Sequence, residues 1–491
     1  RRTDGRTMSA ANGSASSRQQ MLDVLVLGGG VSGVSAGYHL KRGGVNFAIV
    51  ERKSRLGGTW EWIKFPGIRS DSDMYTYMFP WHPWTSDQTI GDGDDIQRYV
   101  ETAAAKAGIV PHVHFNTHIA SLHYSSKTRC WTASTADGKT TFTARLLLVA
   151  SGYYEHGKGY TPSEWRSSIG KFKGPVIHPQ VWQDDVSVYK NKHVVVIGSG
   201  ATAATVVPAM AKHAKHVTML QRSPGYYAIA PRYGKLFPFL RKVIGAYAAA
   251  HVSRVIYMLL GLWFGFMCHY FPGVAKKQLL GAMKKELPSN FDFDKHCAPR
   301  YKPWDQRICL ITDADWMKVI GDGNASVVTD TVASFDATGV KLGSGGHVDA
   351  DVILTATGFD MIDQMPFQTG VDVRIDGKKY VPQDHYLYNS LMISDVPNMV
   401  FVMGYFKASW TLKAEHAAAH ATALAQHMKA KGYTQVVPRL PPGGIKEVSP
   451  DVLEAGYVKR GMGGQPKTGP GRWSLAQNPL SDFVRLNAPW P

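Results

Sequence analysis

Two stretches of this chain repeat one pattern of apolar and polar positions. In the first, the apolar run Val24-Leu25-Val26-Leu27 meets a glycine cluster, passes through a helix-compatible stretch and reaches Phe47-Ala48-Ile49-Val50, closed by Glu51. In the second, Val194-Val195-Val196-Ile197 meets another glycine cluster and leads to Val217-Thr218-Met219-Leu220, closed by Gln221-Arg222. Unbroken apolar runs of this length predict strands buried on both faces, as in a parallel sheet. Strand, glycine turn, helix and strand within ~30 residues open a dinucleotide-binding unit. Gly28 and Gly198 stand 170 residues apart, so the pattern predicts two such domains rather than two halves of one.

The rest of the chain divides around these units. Residues 21–155 read as the first part of one dinucleotide-binding domain, and 156–231 with 304–360 as the second. Residues 232–303 read as a helical insertion in the second, and 361–491 as a return to the first domain ending in a Pro- and Gly-rich wrap. The predicted fold class is therefore α/β, with two Rossmann-like domains and a helical insertion in the second. Within that insertion, 255–271 is nearly all apolar and, at seventeen residues, lies at the lower edge for a membrane span. The expected form is a buried helix pair covering an active-site cavity, with a weak membrane contact as the alternative. Residues 1–20 are rich in Ser, Ala and Arg with no apolar run, and are expected to form a disordered tail. They lack the apolar core of a secretory signal; an organelle-targeting remnant is the other reading.

Charge and cysteine usage narrow the function classes. The excess of 55 Lys+Arg over 38 Asp+Glu gives +17, but the cations are spread along the chain. No basic run is interleaved with aromatics, so no nucleic-acid module is predicted. A basic surface also suits anionic cofactors. The four cysteines form no C-x-x-C pair, and no Cys/His group has zinc-ligand spacing. That pattern argues against disulfide exchange and a metal centre, and for a reducing, cytoplasmic setting.

The glycine turns carry the first chemistry. In Gly28-x-Gly30-x-x-Gly33, Gly28 permits the tight turn, Gly30 lets a pyrophosphate approach the backbone, and Gly33 lets helix and strand pack closely. Val31 and Ser32 open the helix whose amides and dipole face the phosphates. Glu51 lies 21 residues past Gly30, where a carboxylate accepts from ribose hydroxyls. The second turn, Gly198-x-Gly200-x-x-Ala203 with Ala201 and Thr202 opening its helix, ends differently: 22 residues past Gly200 stands Arg222, followed by Ser223. A carboxylate there would repel a 2′-phosphate, whereas a guanidinium binds it through two oxygens. The first unit is thus expected to hold FAD and the second NADPH.

Further motifs carry a resemblance. Phe172-x-Gly174-x-x-x-His178-x-x-x-Trp182 precedes the second unit; Gly57-Gly58-Thr59-Trp60 and Pro66-Gly67-Ile68-Arg69-Ser70-Asp71 follow the first. Ala356-Thr357-Gly358, Trp304-Asp305-Gln306-Arg307 and Ala408-Ser409-Trp410-Thr411-Leu412-Lys413 complete the set. Together they resemble class B flavoprotein monooxygenases of the Baeyer–Villiger group, and within it the mycobacterial ethionamide-activating monooxygenases, from about residue 22 to the C-terminus. The resemblance implies that Arg307 stabilises a flavin peroxide and that Asp71 orients Arg307. It also implies that His178 couples nucleotide position to domain movement, and that Gly58, Thr59, Trp60, Trp182 and Trp410 belong to the cofactor sites. One position departs from the group: Gln306 stands where a lysine often grips the 2′-phosphate, which places more of the NADPH selectivity on Arg222 and Ser223.

A physical case for Arg307 stands beside the likeness. Reduced flavin and O2 form a C4a-peroxide, which attacks a ketone as an anion, and a permanent cation beside it favours that anion and the anionic adduct that follows. The expected reaction converts ketones to esters or lactones, with sulfoxidation of thioethers as a side activity. A heteroatom oxygenase and a non-oxygenating pyridine-nucleotide reductase are the alternatives, and a plain ion pair with Asp71 or Asp305 is the bland reading of Arg307. For Arg222→Ala, the KM for NADPH is expected to rise about ten- to a hundred-fold with NADH use almost unchanged. Steady-state kinetics with both nucleotides checks this, and equal losses would remove Arg222 from 2′-phosphate recognition.

Overall fold

The computed structural model describes residues 21–183, 185–450, 454–475, 478–479 and 481–482, so the tail expected at 1–20 lies outside it. The two patterned stretches form β1 (Leu22–Leu27), α1 (Val31–Arg42) and β2 (Phe47–Val50), then β3 (His193–Ile197), α2 (Ala201–Met210) and β4 (His216–Gln221). β1 runs parallel between β2 and the strand Thr141–Val149, with Leu27 opposite both Val50 and Val149. Side chains on both faces of β1 are buried because helices cover one side and an antiparallel extension folds over the other. Among the described residues this sheet has nine strands, and Met399–Phe401 pairs parallel with Thr141–Val149. The chain therefore returns to its first sheet after completing the second.

The second sheet has five parallel strands, in the order Ala325–Thr329, β4, β3, Val352–Thr355 and Val176–Ile177. Between β4 and the later strands come α3 (Leu236–Ile244), α4 (Ala246–Tyr270) and α5 (Pro272–Lys285). Of residues 255–271, 255–270 are helical but not enclosed, which corrects the expectation of a buried helix pair. One face of α4 lines the central cleft, and its other face meets solvent.

A late helix, α6 (Trp410–Lys431), packs against α1. Ala414, Ala417, Ala418 and Ala421 are fully buried there, and such small side chains let the two helices approach closely. Glu415 fixes the contact by accepting from Ser35 Oγ at 2.6 Å and pairing with His39 Nε2 at 3.0 Å. A buried Lys413 Nζ–Asp482 Oδ2 pair at 2.6 Å, with the Tyr405 hydroxyl donating to the same carboxylate at 2.7 Å, ties the C-terminal region to α6.

Beneath the first glycine turn α1 sits so close to β1 that a methyl group at Gly33 would lie 1.9 Å from the Gly28 carbonyl oxygen. Gly33→Ala is expected to cost about 1–3 kcal/mol and to weaken flavin retention. Thermal unfolding and the flavin-to-protein absorbance ratio check this, and unchanged values in both would contradict the packing argument.

Candidate active site

The C-terminal edges of β1 and β3 open onto one cleft of about 1820 Å³. Single small ligands fill roughly 300–1,000 Å³, so the cleft has room for two dinucleotides. Both turns begin with a glycine in the left-handed region, Gly28 at φ 103° and Gly198 at φ 143°. A side chain at either would collide with the carbonyl oxygen of Ala150 or Ala356. Gly30 faces Gly58 across the cleft mouth, and a Cβ on Gly30 would come 3.3 Å from the Gly58 Cα. The backbone thus forms a cradle that side chains would fill, which fits a pyrophosphate.

Around the first turn, Val31, Ser32, Thr59 and Trp60 line the cleft. No side chain caps α1, so its first-turn amides keep their donors for a ligand. Ser32 Oγ accepts from Trp410 Nε1 at 3.0 Å, and Trp60 Nε1 donates to the Tyr77 hydroxyl at 2.6 Å. Glu51 is buried and accepts from the amides of Gly29 at 2.6 Å and Lys53 at 2.7 Å. Burial pushes its carboxyl up and the two amides oppose that, so the group is held rigidly with lone pairs left toward the cleft. Around the second turn, Gly198, Gly200, Ala201 and Thr202 line the wall while Ala203 is buried beneath it. Arg222 and Ser223 are exposed at the far end, and Arg222 makes no ion pair among the described residues.

Between the turns lies the group with the clearest chemical role. Arg307 Nη1 sits 2.8 Å from Asp71 Oδ2, both lining the cleft and neither fully buried. The neighbouring Asp71 carboxylate drives the guanidinium further toward its protonated form, against the opposing effect of burial. Asp305, the other partner weighed for Arg307, instead accepts from the backbone amide of Lys302 at 3.1 Å. Nearby, Arg69 Nη1 reaches Asp315 Oδ2 at 2.5 Å, which clamps the segment carrying Asp71 onto the second domain. Asp73 caps the helix Met74–Tyr77 by accepting from the Thr76 amide at 2.7 Å, a structural task.

Two expected cofactor contacts do not line the cleft. Trp182 is buried in the core of the second domain beside Tyr189. His178 is held behind the wall, its Nε2 3.2 Å from the Gly358 carbonyl and its Nδ1 accepting from the Gln180 amide. Backbone groups on both sides of the imidazole hold it there, so any effect of His178 on the nucleotide runs through Gly358.

Three tyrosines that sequence reasoning missed surround Arg307. Tyr153 and Tyr154 lie just past the end of Thr141–Val149, and Tyr457 comes from the C-terminal region. Tyr153 stacks on Trp410 with ring centres 5.1 Å apart and donates to the Tyr154 hydroxyl at 2.8 Å. Burial pushes all three phenols up, so they are neutral hydrogen-bond donors at neutral pH. The rule that ligands sit at the carboxyl ends of parallel strands points to Tyr153 and Tyr154; no local signal points to Tyr457.

Two glycine turns facing one cleft, with a cation between them, define a flavin-dependent oxygenase built on two dinucleotide-binding domains. Comparison with known proteins agrees: residues 22–240 match the family described as flavin-binding monooxygenase-like. The chain is 40% identical to the FAD-containing monooxygenase EthA of Mycobacterium tuberculosis over 475 residues, 95% of each protein. It is 36% identical to the probable FAD-binding monooxygenase AlmA of Acinetobacter over 478 residues, 95% of this chain and 94% of that one. The fold matches steroid monooxygenase bound to NADP, with a TM-score of 0.71 at 21% identity over 87% of this chain and 89% of that one. It also matches cyclohexanone monooxygenase, with a TM-score of 0.68 at 18% identity over 86% and 90%. The chain belongs to the flavin-binding monooxygenase family.

Burial lowers the His178 pKa to about 4. As pH falls below about 6.5, the unfolded chain takes up a proton that folded His178 refuses until about pH 4. This histidine therefore lowers stability across that window, by up to about 3 kcal/mol. Urea unfolding at pH 7 and pH 4.5 is expected to show a smaller loss for His178→Gln than for the parent protein. Equal losses would mean that the imidazole is not held neutral.

Proposed function

We propose that this monooxygenase binds FAD at the first glycine turn and NADPH at the second, and converts ketones to esters or lactones. The observation that carries the reading is the Arg307–Asp71 pair in the cleft between the turns. Bound flavin, reduced by NADPH, supplies the chemistry that activates O2. The balance is ketone, O2, NADPH and a proton to ester, NADP+ and water. Arg307 holds a fixed positive charge where negative charge develops on oxygen and then on the former carbonyl oxygen. Arginine cannot lose its proton and act as a base, so its work is electrostatic. Asp71 aims the guanidinium, and Arg222 with Ser223 selects the 2′-phosphate. The relatives that bind NADP support the nucleotide assignment.

A second reaction has its own observation. The neutral phenols of Tyr154, which accepts from Tyr153, and Tyr457 place hydrogen-bond donors beside Arg307. A site rich in donors suits oxygen transfer to a thioether, which needs a protonated oxidant.

Losing a preorganised group that stabilises developing charge costs about 2.7–4 kcal/mol, or 10²–10³ in rate. Arg307→Ala is expected to lose ester formation on that scale while keeping its flavin, with residual NADPH consumption ending in hydrogen peroxide. Sulfoxide yield is expected to fall less. Product analysis with a ketone and a thioether checks this, and near-normal ester formation would overturn the role given to Arg307.

A further inference from the structure

The apolar face of α4 that meets solvent is continuous. Val252, Val255, Leu259, Trp263, Phe266 and Tyr270 follow one another at steps of three and four residues, which places them on one side of the helix. Leu259 is 56% exposed, Trp263 55%, Phe266 51% and Tyr270 63%. α3 adds Phe239 and Val243, and α5 adds Val274, all exposed. α4 is 25 residues long, about 37 Å, and its most apolar stretch is only 11% buried. It is therefore not the core helix of a soluble domain. Exposed apolar surface on this scale marks a contact site.

Charge identifies what covers it. From Leu236 to Lys285 the three helices contain no Asp or Glu, while Lys242, Lys277, Lys284 and Lys285 are exposed; Arg241 is exposed too but pairs with Asp87 at 2.8 Å. Lys242 stands one turn from Phe239, and Lys277 one turn from Val274, so cations border the apolar face. Aromatic rings at both ends of α4, Tyr247 and Tyr270, are exposed as well. An apolar centre, aromatic ends and a cationic rim form the pattern of a helix lying in the plane of an anionic bilayer surface.

The opposite face of the same helix lines the active-site cleft. Tyr257, Met258, Gly261, Leu262, Gly265 and Cys268 all face that cavity. Two glycines there thin the wall, and a Cβ on Gly261 would meet nothing within 4 Å.

We propose that α3, α4 and α5 seat the enzyme on an anionic lipid surface, and that α4 is the wall across which lipid-dissolved substrate enters the cleft. The substrate part rests on the oxygenase reading above; the docking part does not. Net charge and the exposed lysines draw the protein to the surface, and the apolar stripe then inserts.

The test uses the flavin-loaded enzyme and 100-nm vesicles of phosphatidylcholine, with or without phosphatidylglycerol. The parent protein is expected to sediment with the anionic vesicles, at least ten-fold less with the neutral ones, and less as salt is raised. The double variant Trp263→Glu/Phe266→Glu is expected to lose at least ten-fold in vesicle binding. It should keep its flavin and its rate on a water-soluble thioether in lipid-free buffer. A long-chain ketone dissolved in the vesicles is expected to be oxidised several-fold faster by the parent than by this variant. Should the double variant fail to fold, Trp263→Phe provides the second measurement: brominated lipid is expected to quench parent tryptophan fluorescence and to quench this variant markedly less. Parent protein that stays in solution with anionic vesicles overturns docking. So does equal sedimentation of the double variant, or a lipid-free dimer that the double variant breaks without any vesicle binding. Vesicle binding without any oxygenation in buffer would sink the proposed reaction and leave docking standing.

Discussion

The contact between Arg307 and Asp71 joins pieces of chain from opposite sides of the cleft. Asp71 lies in the segment that follows the first glycine turn, and Arg307 lies just before the strand that pairs with Tyr227–Ala230. Neither position has meaning alone: a lone carboxylate there would repel a flavin phosphate, and a lone guanidinium would be free to seek one. Their pairing holds the guanidinium at the wall of the cavity that both glycine turns also line. The Arg69–Asp315 pair fastens the same segment to the second domain, so both contacts depend on how the domains sit together.

Everything else in the fold serves that placement. The parallel strands of both sheets aim their carboxyl edges at one cavity, and glycine at 28 and 198 lets the chain turn without blocking it. α6 holds α1 from behind through Glu415, and its first residue, Trp410, reaches past Ser32 to stack on Tyr153. A residue 378 positions along the chain from Ser32 is thereby linked to the first glycine turn. Tyr457 also lines the cleft, from the short helix Gly456–Gly461.

Much of this was legible in the sequence because it is local. Strand, glycine turn and helix lie within one short window, and Glu51 and Arg222 each close the window of their own turn. The Arg307–Asp71 contact is not local: 236 residues separate the two positions, and only resemblance brought them together. The tyrosines were missed for the same reason, since their role comes from what packs beside them. His178 and Trp182 show the converse limit: a motif can be read in the sequence without its place in the packing. Their motif is conspicuous in the sequence, yet it builds the wall of the second domain rather than its lining. The apolar run at 255–271 was visible, but an apolar helix reads the same whether it is enclosed or bare. Only packing showed that one face lines the cleft while the other is uncovered.

The central claim is that Arg307 and Asp71 act as one device. A double-mutant cycle on ester formation tests it directly, using Arg307→Ala, Asp71→Asn and the two combined. If Asp71 works only by aiming the guanidinium, the double variant should be no slower than Arg307→Ala alone, with a coupling energy comparable to the whole effect of Asp71→Asn. Losses that simply add would show two independent roles and contradict the account.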